Sequence, residues 1–233
     1  MKKLFKFVFF FILSLPKTIY FNFATFPANI AYKLPVIIGY NVLISETHKD
    51  IVEIKANKIK TGMIRFGFGG PRGIISNKRG EVCLEKGKLI FLGTASFGEG
   101  CSVRINGNLE IGDHFSASKN SFISCSAQNS TIGKDVMLGW NCALRDSDGH
   151  TVYVNNCAKQ SQKSFHIGNH VWICAEAHIL KGVSIGSNSI VAYRSTVSKG
   201  YEEEGILIGG NPARLIQHGV NWGKYIEDED LVK

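Results

Sequence analysis

Aliphatic residues recur at every sixth position in the second half of the chain. The series is Ile167, Ile173, Ile179, Ile185, Val191 and Val197. In five of these hexads a small or β-branched residue stands four positions on, namely Val171, Ala177, Val183, Ser189 and Ser195. A period of six fits neither a helix nor a hairpin meander. It indicates a solenoid of short strands, in which each rung buries its aliphatic side chain against the next.

The same period extends toward the N-terminus with two irregular steps. It runs through Phe91, Phe97, Val103 and Leu109, then Ile111, Ala117 and Ile123, then Ile132, Leu138 and Leu144. If three hexads form one triangular coil, residues 91–200 supply about five coils. The steps at 109–111 and 123–132 are predicted to be insertions at corners. Between residues 35 and 90, short aliphatic runs separated by Gly, Asn and Lys predict earlier, irregular coils.

The first 34 residues are apolar and basic. The apolar run from Leu4 to Leu15 is shorter than the roughly 20 residues of a membrane-spanning helix. A segment lying in the membrane surface is the preferred interpretation, and a buried capping helix and a signal peptide remain open. The predicted organisation is therefore an N-terminal segment 1–34, a β-helix domain 35–216 and a tail 217–233.

Charge is distributed unevenly along the 233 residues, whose formal net charge is +8. Residues 1–45 contain five lysines and no acidic residue, whereas the tail carries an acidic run from Glu227 to Asp230. The lysines are expected to meet anionic lipid head groups. The six cysteines form no CxxC pair and no zinc spacing, which favours buried free thiols in a reducing cytosol.

The hexad after Leu144 breaks the pattern. It reads Arg-Asp-Ser-Asp-Gly-His and places Asp148 where the column of small residues predicts an interior side chain. Residues 151–166 then interrupt the repeat outright. A long loop that leaves a rigid solenoid is usually functional, and polar residues at interior positions point in the same direction.

These segments resemble the hexapeptide-repeat acyltransferases. The resemblance rests on DSDGH at 146–150, IGNHVWIC at 167–174, ILKGVSIG at 179–186 and IGGNPARLI at 208–216. It implies an all-β fold, a left-handed parallel β-helix, that forms a homotrimer and transfers an acetyl group from acetyl-CoA to a hydroxyl group. The stretch LPKTIYFNF at 15–23 resembles a subgroup associated with bacterial capsule, O-antigen or exopolysaccharide synthesis.

From this resemblance we expect an O-acetyltransferase acting on a sugar of a surface polysaccharide or its precursor. The expected location is the cytoplasm, with peripheral contact to the cytoplasmic face of the inner membrane. No nucleic-acid partner is expected.

His150 is the predicted general base. A sugar hydroxyl is a poor nucleophile, and an imidazole can take its proton near neutral pH and return it to the leaving thiolate. Asp146 or Asp148 either orients the His150 ring or caps a turn. Because Cys142 and Cys157 lack an obvious basic neighbour, direct transfer in a ternary complex is favoured over an acyl-enzyme.

Donor and acceptor contacts are carried over from the matching motifs. The resemblance implies that acetyl-CoA is bound by Trp172, Ala175, Ser195, Ser198, Lys199 and Arg214. Two departures from the family pattern, Ala192-Tyr193-Arg194 and Cys174, narrow the expected backbone approach to acetyl-CoA. The extruded loop offers Tyr153, Asn155 and Asn156 as polar contacts for the acceptor.

Two other classes of function remain open. Some similar β-helix trimers hold zinc through histidines and act as carbonic anhydrases, and His166, His170 and His178 lie close together in the sequence. Their spacing does not match that family's ligand spacing, so no metal is expected. A non-catalytic scaffold that binds a partner through its flat faces is the third hypothesis.

Overall fold

The computed structural model describes residues 2–71 and 73–223. The predicted acidic run Glu227 to Asp230 lies outside the described residues. The elements are α1 Lys2–Thr25, α2 Ala28–Ala31, β1 Val36–Ile38, β2 Val42–Glu46, β3 Val52–Ile54, β4 Ile64–Phe66, β5 Gly80–Leu84, β6 Lys88–Phe91, β7 Ala95–Phe97, β8 Ser102–Ile105, β9 Asn108–Ile111, β10 Phe115–Ala117, β11 Phe122–Cys125, β12 Ser130–Ile132, β13 Met137–Leu138, β14 Ala143–Arg145, β15 Tyr153–Val154, β16 Cys157–Ala158, β17 His166–Ile167, β18 Trp172–Ile173, β19 His178–Ile179, β20 Ser184–Ile185, β21 Ile190–Val191, β22 Thr196–Val197, β23 Ile206–Gly210 and β24 Ala213–His218.

Three parallel sheets form the three sides of a β-helix. Sheet A has the order β1-β4-β7-β10-β13-β18-β21-β23-β24, sheet B has β2-β5-β8-β11-β14-β19-β22, and sheet C has β3-β6-β9-β12-β17-β20. In coils 1 to 6 the chain passes from sheet A to sheet B to sheet C and then returns to sheet A, where the new strand pairs with that of the preceding coil. Coil 7 has β21 in sheet A and β22 in sheet B. We number the coils 1 to 7 from the N-terminus. The predicted parallel β-helix is confirmed.

The hexad positions form the core. All six aliphatic residues of the series that begins at Ile167 are at most 3% exposed, and so is the column of small residues beside them. Each hexad supplies one strand, so residues six apart lie on adjacent sides of the same coil. In register, Leu138 pairs with Ile173 and Leu144 with Ile179. The core is therefore a stack of like side chains running along the axis.

The two predicted corner insertions differ. The step at 123–132 is an insertion, because residues 126–129 lie between β11 in sheet B and β12 in sheet C. The prediction for 109–111 is wrong. Leu109 and Ile111 lie on the same strand, β9, and both are buried. Residues two apart on a strand point to one face, so the chain keeps the interior filled without a corner insertion.

Residues 35–90 form two complete coils with longer and less regular connections. Coil 1 consists of β1, β2 and β3, and coil 2 of β4, β5 and β6. Aromatic rings continue the interior of coil 2 into coil 3, with the centroids of Phe66 and Phe97 4.2 Å apart. The predicted early coils are therefore present.

Helix α1 covers the open edge of β1 with polar side chains. The Asn22 amide donates to the Val36 carbonyl (2.6 Å) and accepts from its N–H (3.2 Å). Further along β1, the Ile38 N–H donates to the Thr18 hydroxyl at 3.1 Å. The helix thus supplies the hydrogen bonds that a neighbouring strand would otherwise make. Within the described part of the chain, no helix is both long enough and apolar enough to cross a bilayer.

The other end of the solenoid is closed by a strand. β23 pairs in parallel with β21 and turns back into antiparallel β24. Residues 219–223 then return along sheet A, where Trp222 stacks on His170 with ring centroids 4.3 Å apart. The Trp222 indole N–H donates to the His170 carbonyl at 2.9 Å.

Candidate functional site

The insertion 146–165 leaves the solenoid at the corner between sheets B and C. Strands β14, β19 and β22 are in register, with Leu144, Ile179 and Val197 stacked. The residues that follow these strands therefore lie side by side at the corner, on the outside of coils 5 to 7. A cavity of about 400 Å³ opens there, lined by Arg145, Ser147, Asp148, Leu180, Lys181 and Ser198.

Asp146 is the interior residue of the broken hexad. Its carboxylate is fully buried and accepts hydrogen bonds from the Ser126 N–H (2.7 Å), the Ala127 N–H (3.0 Å) and the Ser130 hydroxyl (2.7 Å). Ser126 and Ala127 belong to the corner insertion of coil 4, and Ser130 is the first residue of β12. The sequence placed Asp148 in the interior column, and this was wrong. With both oxygens bound inside the coil, the Asp146 carboxylate holds this turn.

Asp148 lies at the mouth of the insertion. Its carboxylate forms an ion pair with the Lys181 ammonium, whose side chain is 28% exposed, and Lys181 also donates to the Gln160 carbonyl at 2.6 Å. The Asp148 N–H donates to the Ser161 carbonyl at 2.9 Å. Lys181, from coil 6, therefore fastens both ends of the insertion.

His150 is exposed just beyond this root. It follows Gly149, whose φ of 78° lies in the left-handed region that glycine adopts freely. Within the described part of the chain, its ring makes no hydrogen bond. The imidazole is thus exposed to solvent, two residues after Asp148, which lines the cavity.

The insertion itself folds as a hairpin. β15 and β16 pair antiparallel, and Asn155 and Asn156 form its two-residue turn with φ of 50° and 61°. Asparagine tolerates this conformation, which accounts for both residues without invoking a ligand. Tyr153 is 67% exposed on the hairpin. The three predicted acceptor contacts are therefore together at the hairpin, with Tyr153 on a strand and the two Asn residues at its tip.

The predicted donor contacts separate into two groups. Ser198 and Lys199 lie at the sheet B–C corner, in coil 7, near Asp148. Trp172 lies on sheet A, Ala175 at the next corner and Arg214 on β24. One chain does not bring both groups together, because sheet A and the B–C corner lie on opposite sides of the solenoid.

Ser195 is an interior residue. Its hydroxyl is fully buried and accepts a hydrogen bond from the Gly210 N–H at 3.1 Å, which ties β23 to coil 7. Ala175 is likewise only 5% exposed. The Ser195 side chain thus packs inside coil 7, and its contact with acetyl-CoA stays a prediction.

One of the two departures from the family pattern, Ala192-Tyr193-Arg194, belongs to a polar cluster. Arg194 adopts φ of 56°, a conformation that favours glycine. Its guanidinium lies 3.0 Å from the Glu176 carboxylate, which also accepts from the Tyr193 hydroxyl at 2.8 Å. The larger side chains are therefore accommodated on the outside of the corner.

The cysteines are all free, and their environments differ. Burial raises the pKa of the Cys142 thiol to about 12 and that of Cys174 to about 11. A thiol with such a pKa is almost wholly protonated near neutral pH and is a poor nucleophile. Cys157 is exposed on the hairpin and Cys174 is half-buried, so the expectation of six buried thiols is wrong for Cys157 and only partly met by Cys174.

The three histidines considered for zinc lie apart. His166 is on sheet C, His178 is on sheet B, and His170 is at the start of coil 6, where its imidazole lies 2.6 Å from the Asp135 carboxylate. Among residues 2–71 and 73–223, no group of three or more His, Cys, Asp or Glu side chains is placed to hold a metal ion.

Sequence reasoning missed Lys181 and Arg145, which line the cavity. Lys181 stands in the ILKGVSIG motif, and the strict hexad register places Ile179 directly above Leu144. Aligning the coils by this register would have put Lys181 beside the broken hexad. The signal was thus present in the repeat itself.

Comparison with known proteins identifies the repeats. Residues 166–199 match the family model "Bacterial transferase hexapeptide (six repeats)". The resemblance to hexapeptide-repeat transferases is confirmed for these repeats. Galactoside O-acetyltransferase of Escherichia coli K12 is 34% identical over 112 residues, covering 47% of this chain and 54% of the relative.

Other relatives match shorter stretches. A polysialic acid O-acetyltransferase of Escherichia coli O1:K1 / APEC is 31% identical over 41% of this chain and 32% of its own length. A chloramphenicol acetyltransferase of Klebsiella aerogenes is 45% identical over 28% of each chain. The chain spans about half or less of the length of these relatives. Among solved structures, the polySia specific acetyltransferase NeuO aligns at 21% identity and a TM-score of 0.49, covering 81% of this chain and 92% of its own.

Proposed function

We propose that this protein is an acetyl-CoA-dependent O-acetyltransferase acting on a sugar hydroxyl of a bacterial surface polysaccharide or its precursor. The observation that carries the proposal is the exposed His150 at the root of an extruded hairpin, two residues after Asp148 in the lining of the corner cavity. Two of the named relatives, the galactoside and polysialic acid O-acetyltransferases, supply the reaction class and the sugar acceptor by their names. No metal takes part in this scheme.

His150 acts as general base in a direct transfer. Its neutral imidazole takes the proton of the acceptor hydroxyl as the oxygen attacks the thioester carbonyl. The tetrahedral intermediate collapses, the C–S bond breaks, and the imidazolium returns the proton to the CoA thiolate. The raised pKa of the Cys142 thiol supports this route over one through an acyl-cysteine.

Asp148 and Lys181 position the base. Their ion pair, together with the Lys181 hydrogen bond to Gln160, fixes the point at which the insertion turns toward His150. Ser198 lines the same cavity and Lys199 lies next to it, which suits the thioester end and a phosphate of acetyl-CoA. Asp146 and Ser195 serve the fold.

The separation of the donor residues favours a homotrimer. Trp172 and Arg214 would reach acetyl-CoA bound at Ser198 and Lys199 if sheet A of one subunit faced the B–C corner of its neighbour. Tyr153, Asn155 and Asn156 on the hairpin would then contact the acceptor in the same cleft. In the cell, the protein lies on the cytoplasmic face of the inner membrane and contacts it through the N-terminal segment.

The test is release of CoA thiol from acetyl-CoA in the presence of a panel of sugars, including galactosides. We expect acceptor-dependent release that falls at least a hundredfold in His150→Ala, in line with the usual contribution of a general base. The matched control is His48→Ala, an exposed histidine near coil 1, which should leave the rate unchanged. Full activity of His150→Ala would refute the proposed base, and acceptor-independent behaviour of the wild type would refute the reaction.

A further inference from the structure

Helix α1 is oriented with its polar face inward. Its buried polar residues recur every three or four positions, at Ser14, Thr18, Asn22 and Thr25, each at most 2% exposed. Three of them bond to β1 or to the residue that follows the Gly39 turn, as the Tyr40 N–H does to the Ser14 hydroxyl at 3.0 Å. A surface helix of a globular protein normally shows the reverse arrangement.

The outward face of α1 is correspondingly apolar. Its described side chains are between 39% and 59% exposed and follow helical spacing: Phe9, Ile12, Leu13, Ile19, Tyr20 and Phe23. Tyr32 is 76% exposed and extends this surface, with its ring 5.1 Å from that of Phe23. A contiguous exposed patch of this kind usually marks an interaction site. We call it the α1 face.

Charge and composition identify the surface that the α1 face meets. Residues 1–45 contain five lysines and no acidic residue. The Lys17 ammonium donates to the carbonyls of Tyr40 and Val42 at 2.8 and 2.6 Å, close to the edge of coil 1. An aromatic apolar face combined with net positive charge matches an anionic bilayer surface.

The geometry then sets the height of the candidate site above the membrane. The polar side of α1 contacts coil 1, so the α1 face points away from the coils, and the bilayer lies across the N-terminal end of the solenoid. The insertion that carries His150 leaves coil 5, four strand steps along sheet B from β2. With neighbouring strands about 4.8 Å apart, it lies about 20 Å farther from the bilayer than coil 1.

We propose that the α1 face docks the protein on an anionic bilayer and that the acceptor is a glycan attached to a membrane lipid. The part on the acceptor rests on the proposed transferase function. A glycan of several sugars would extend from its lipid to the height of His150, whereas a single sugar at the head-group level would not reach it. We therefore expect the protein to acetylate sugar units that lie far from the lipid end of the acceptor glycan.

The docking is tested by sedimentation of the full-length protein with vesicles. We expect binding to phosphatidylglycerol/phosphatidylethanolamine vesicles and at least tenfold weaker binding to pure phosphatidylcholine. The variant Ile12→Gln/Leu13→Gln/Tyr20→Gln should lose at least tenfold in partitioning to the anionic vesicles, with an unchanged circular dichroism spectrum and melting temperature. The matched control, Leu43→Gln/Ile75→Gln/Ile216→Gln, replaces exposed apolar residues elsewhere and should bind as the wild type does.

Two outcomes would overturn the docking. One is wild-type protein that stays in the supernatant with anionic vesicles, or a control variant that loses binding equally. The other is a lower oligomer mass of the α1 variant in light scattering without lipid, which would show that a second copy covers the α1 face. Neither measurement depends on catalysis.

The acceptor is tested with a hexasaccharide and a monosaccharide galactoside, each on an octadecyl chain in the anionic vesicles and each as a soluble methyl glycoside. We expect kcat/KM for the lipid-anchored hexasaccharide to exceed that for its soluble form at least tenfold, and the α1 variant to lose this preference. The soluble substrates should react equally with both proteins. Equal rates on anchored and soluble hexasaccharide would overturn the lipid-linked acceptor, whereas no transfer to any substrate alongside intact vesicle binding would refute only the transferase function.

Discussion

Coils 5 and 6 pass through the same three sheets and stack directly, yet they differ in what lies outside them. Coil 6 closes within residues 172–185, whereas coil 5 runs from 137 to 167 because the hairpin insertion leaves at its B–C corner. The register between the two coils is unbroken on all three sides. The comparison shows that an insertion at a corner leaves the stacked core intact when polar groups close the gap that it creates.

The largest expected effect comes from removing the group that closes this gap. Asp146→Ala leaves two buried N–H groups and a hydroxyl without an acceptor, so we expect the free energy of unfolding to fall by about 3 kcal/mol. Urea denaturation of the wild type and the variant measures this difference in the free energy of unfolding. The matched control is Asp148→Ala in the same hexad, which should cost less than about 1 kcal/mol because its ion pair is partly exposed. Equal losses of unfolding free energy in the two variants would contradict the placement of Asp146 in the interior and Asp148 at the mouth of the insertion.

The close approach of coils 5 and 6 is the next point to test. A Cβ atom added at Gly139 would lie 2.4 Å from the Ala175 nitrogen, so the two backbones must move apart. Gly139→Ala is expected to lower the free energy of unfolding by about 2 kcal/mol. Gly200→Ala is the matched control, since its nearest neighbour would lie at 3.6 Å. An unchanged free energy of unfolding in Gly139→Ala would show that coils 5 and 6 are less tightly stacked than the structure indicates.

Lys181 joins the two coils from outside. Lys181→Met keeps the aliphatic stem and removes the bonds to Asp148 and Gln160, so the cost in stability should stay below about 1 kcal/mol. The hairpin root should loosen, and hydrogen exchange of the Asp148 amide should become faster. We expect kcat/KM for acetyl transfer to fall about tenfold, because a misplaced base is inefficient. Unchanged exchange at Asp148 would argue against a fastening role.

The smallest expected effect concerns two thiols of coil 5, Cys142 in the stacked core and Cys157 on the hairpin. Near neutral pH, Cys157 on the hairpin should react with iodoacetamide at once, and Cys142 in coil 5 should not react in the folded protein. The Cys142 pKa, raised by burial from 9.0 to about 12, keeps the thiol protonated when the unfolded chain would lose its proton. Stability should therefore decline as the pH rises from about 9 toward 12, and Cys142→Ala should reduce that decline. Labelling of both thiols at equal rates would contradict the burial of Cys142.

The hexad period predicted most of coils 3 to 7 because each hexad corresponds to one strand, and burial repeats with the strand. It failed at Leu109 and Ile111, where both residues of one strand point inward and the period alone cannot tell this from an insertion. It also placed Asp148 in the interior. Counting four from Leu144 assumes a regular corner, and a buried carboxylate two residues earlier replaces that corner.

The candidate site was only partly predictable. His150 and Asp148 follow from the broken hexad and the motif, and they lie at one corner as expected. Ser195 did not follow, since a serine of the small column is equally suited to bind a ligand or a backbone N–H, and only the position of Gly210 decides between them. Lys181 was overlooked because its partners are more than twenty residues away in the sequence.

The polar inward side of α1 also determines where the solenoid stops. Parallel strands whose outer edge is unpaired can accept another strand, and stacked coils propagate by that rule. Without the side chains of Thr18 and Asn22, the edge of β1 would be free to pair with the terminal coil of another molecule. The helix therefore makes the protein a particle of fixed length, and a truncated chain that begins at β1 is expected to polymerise end to end.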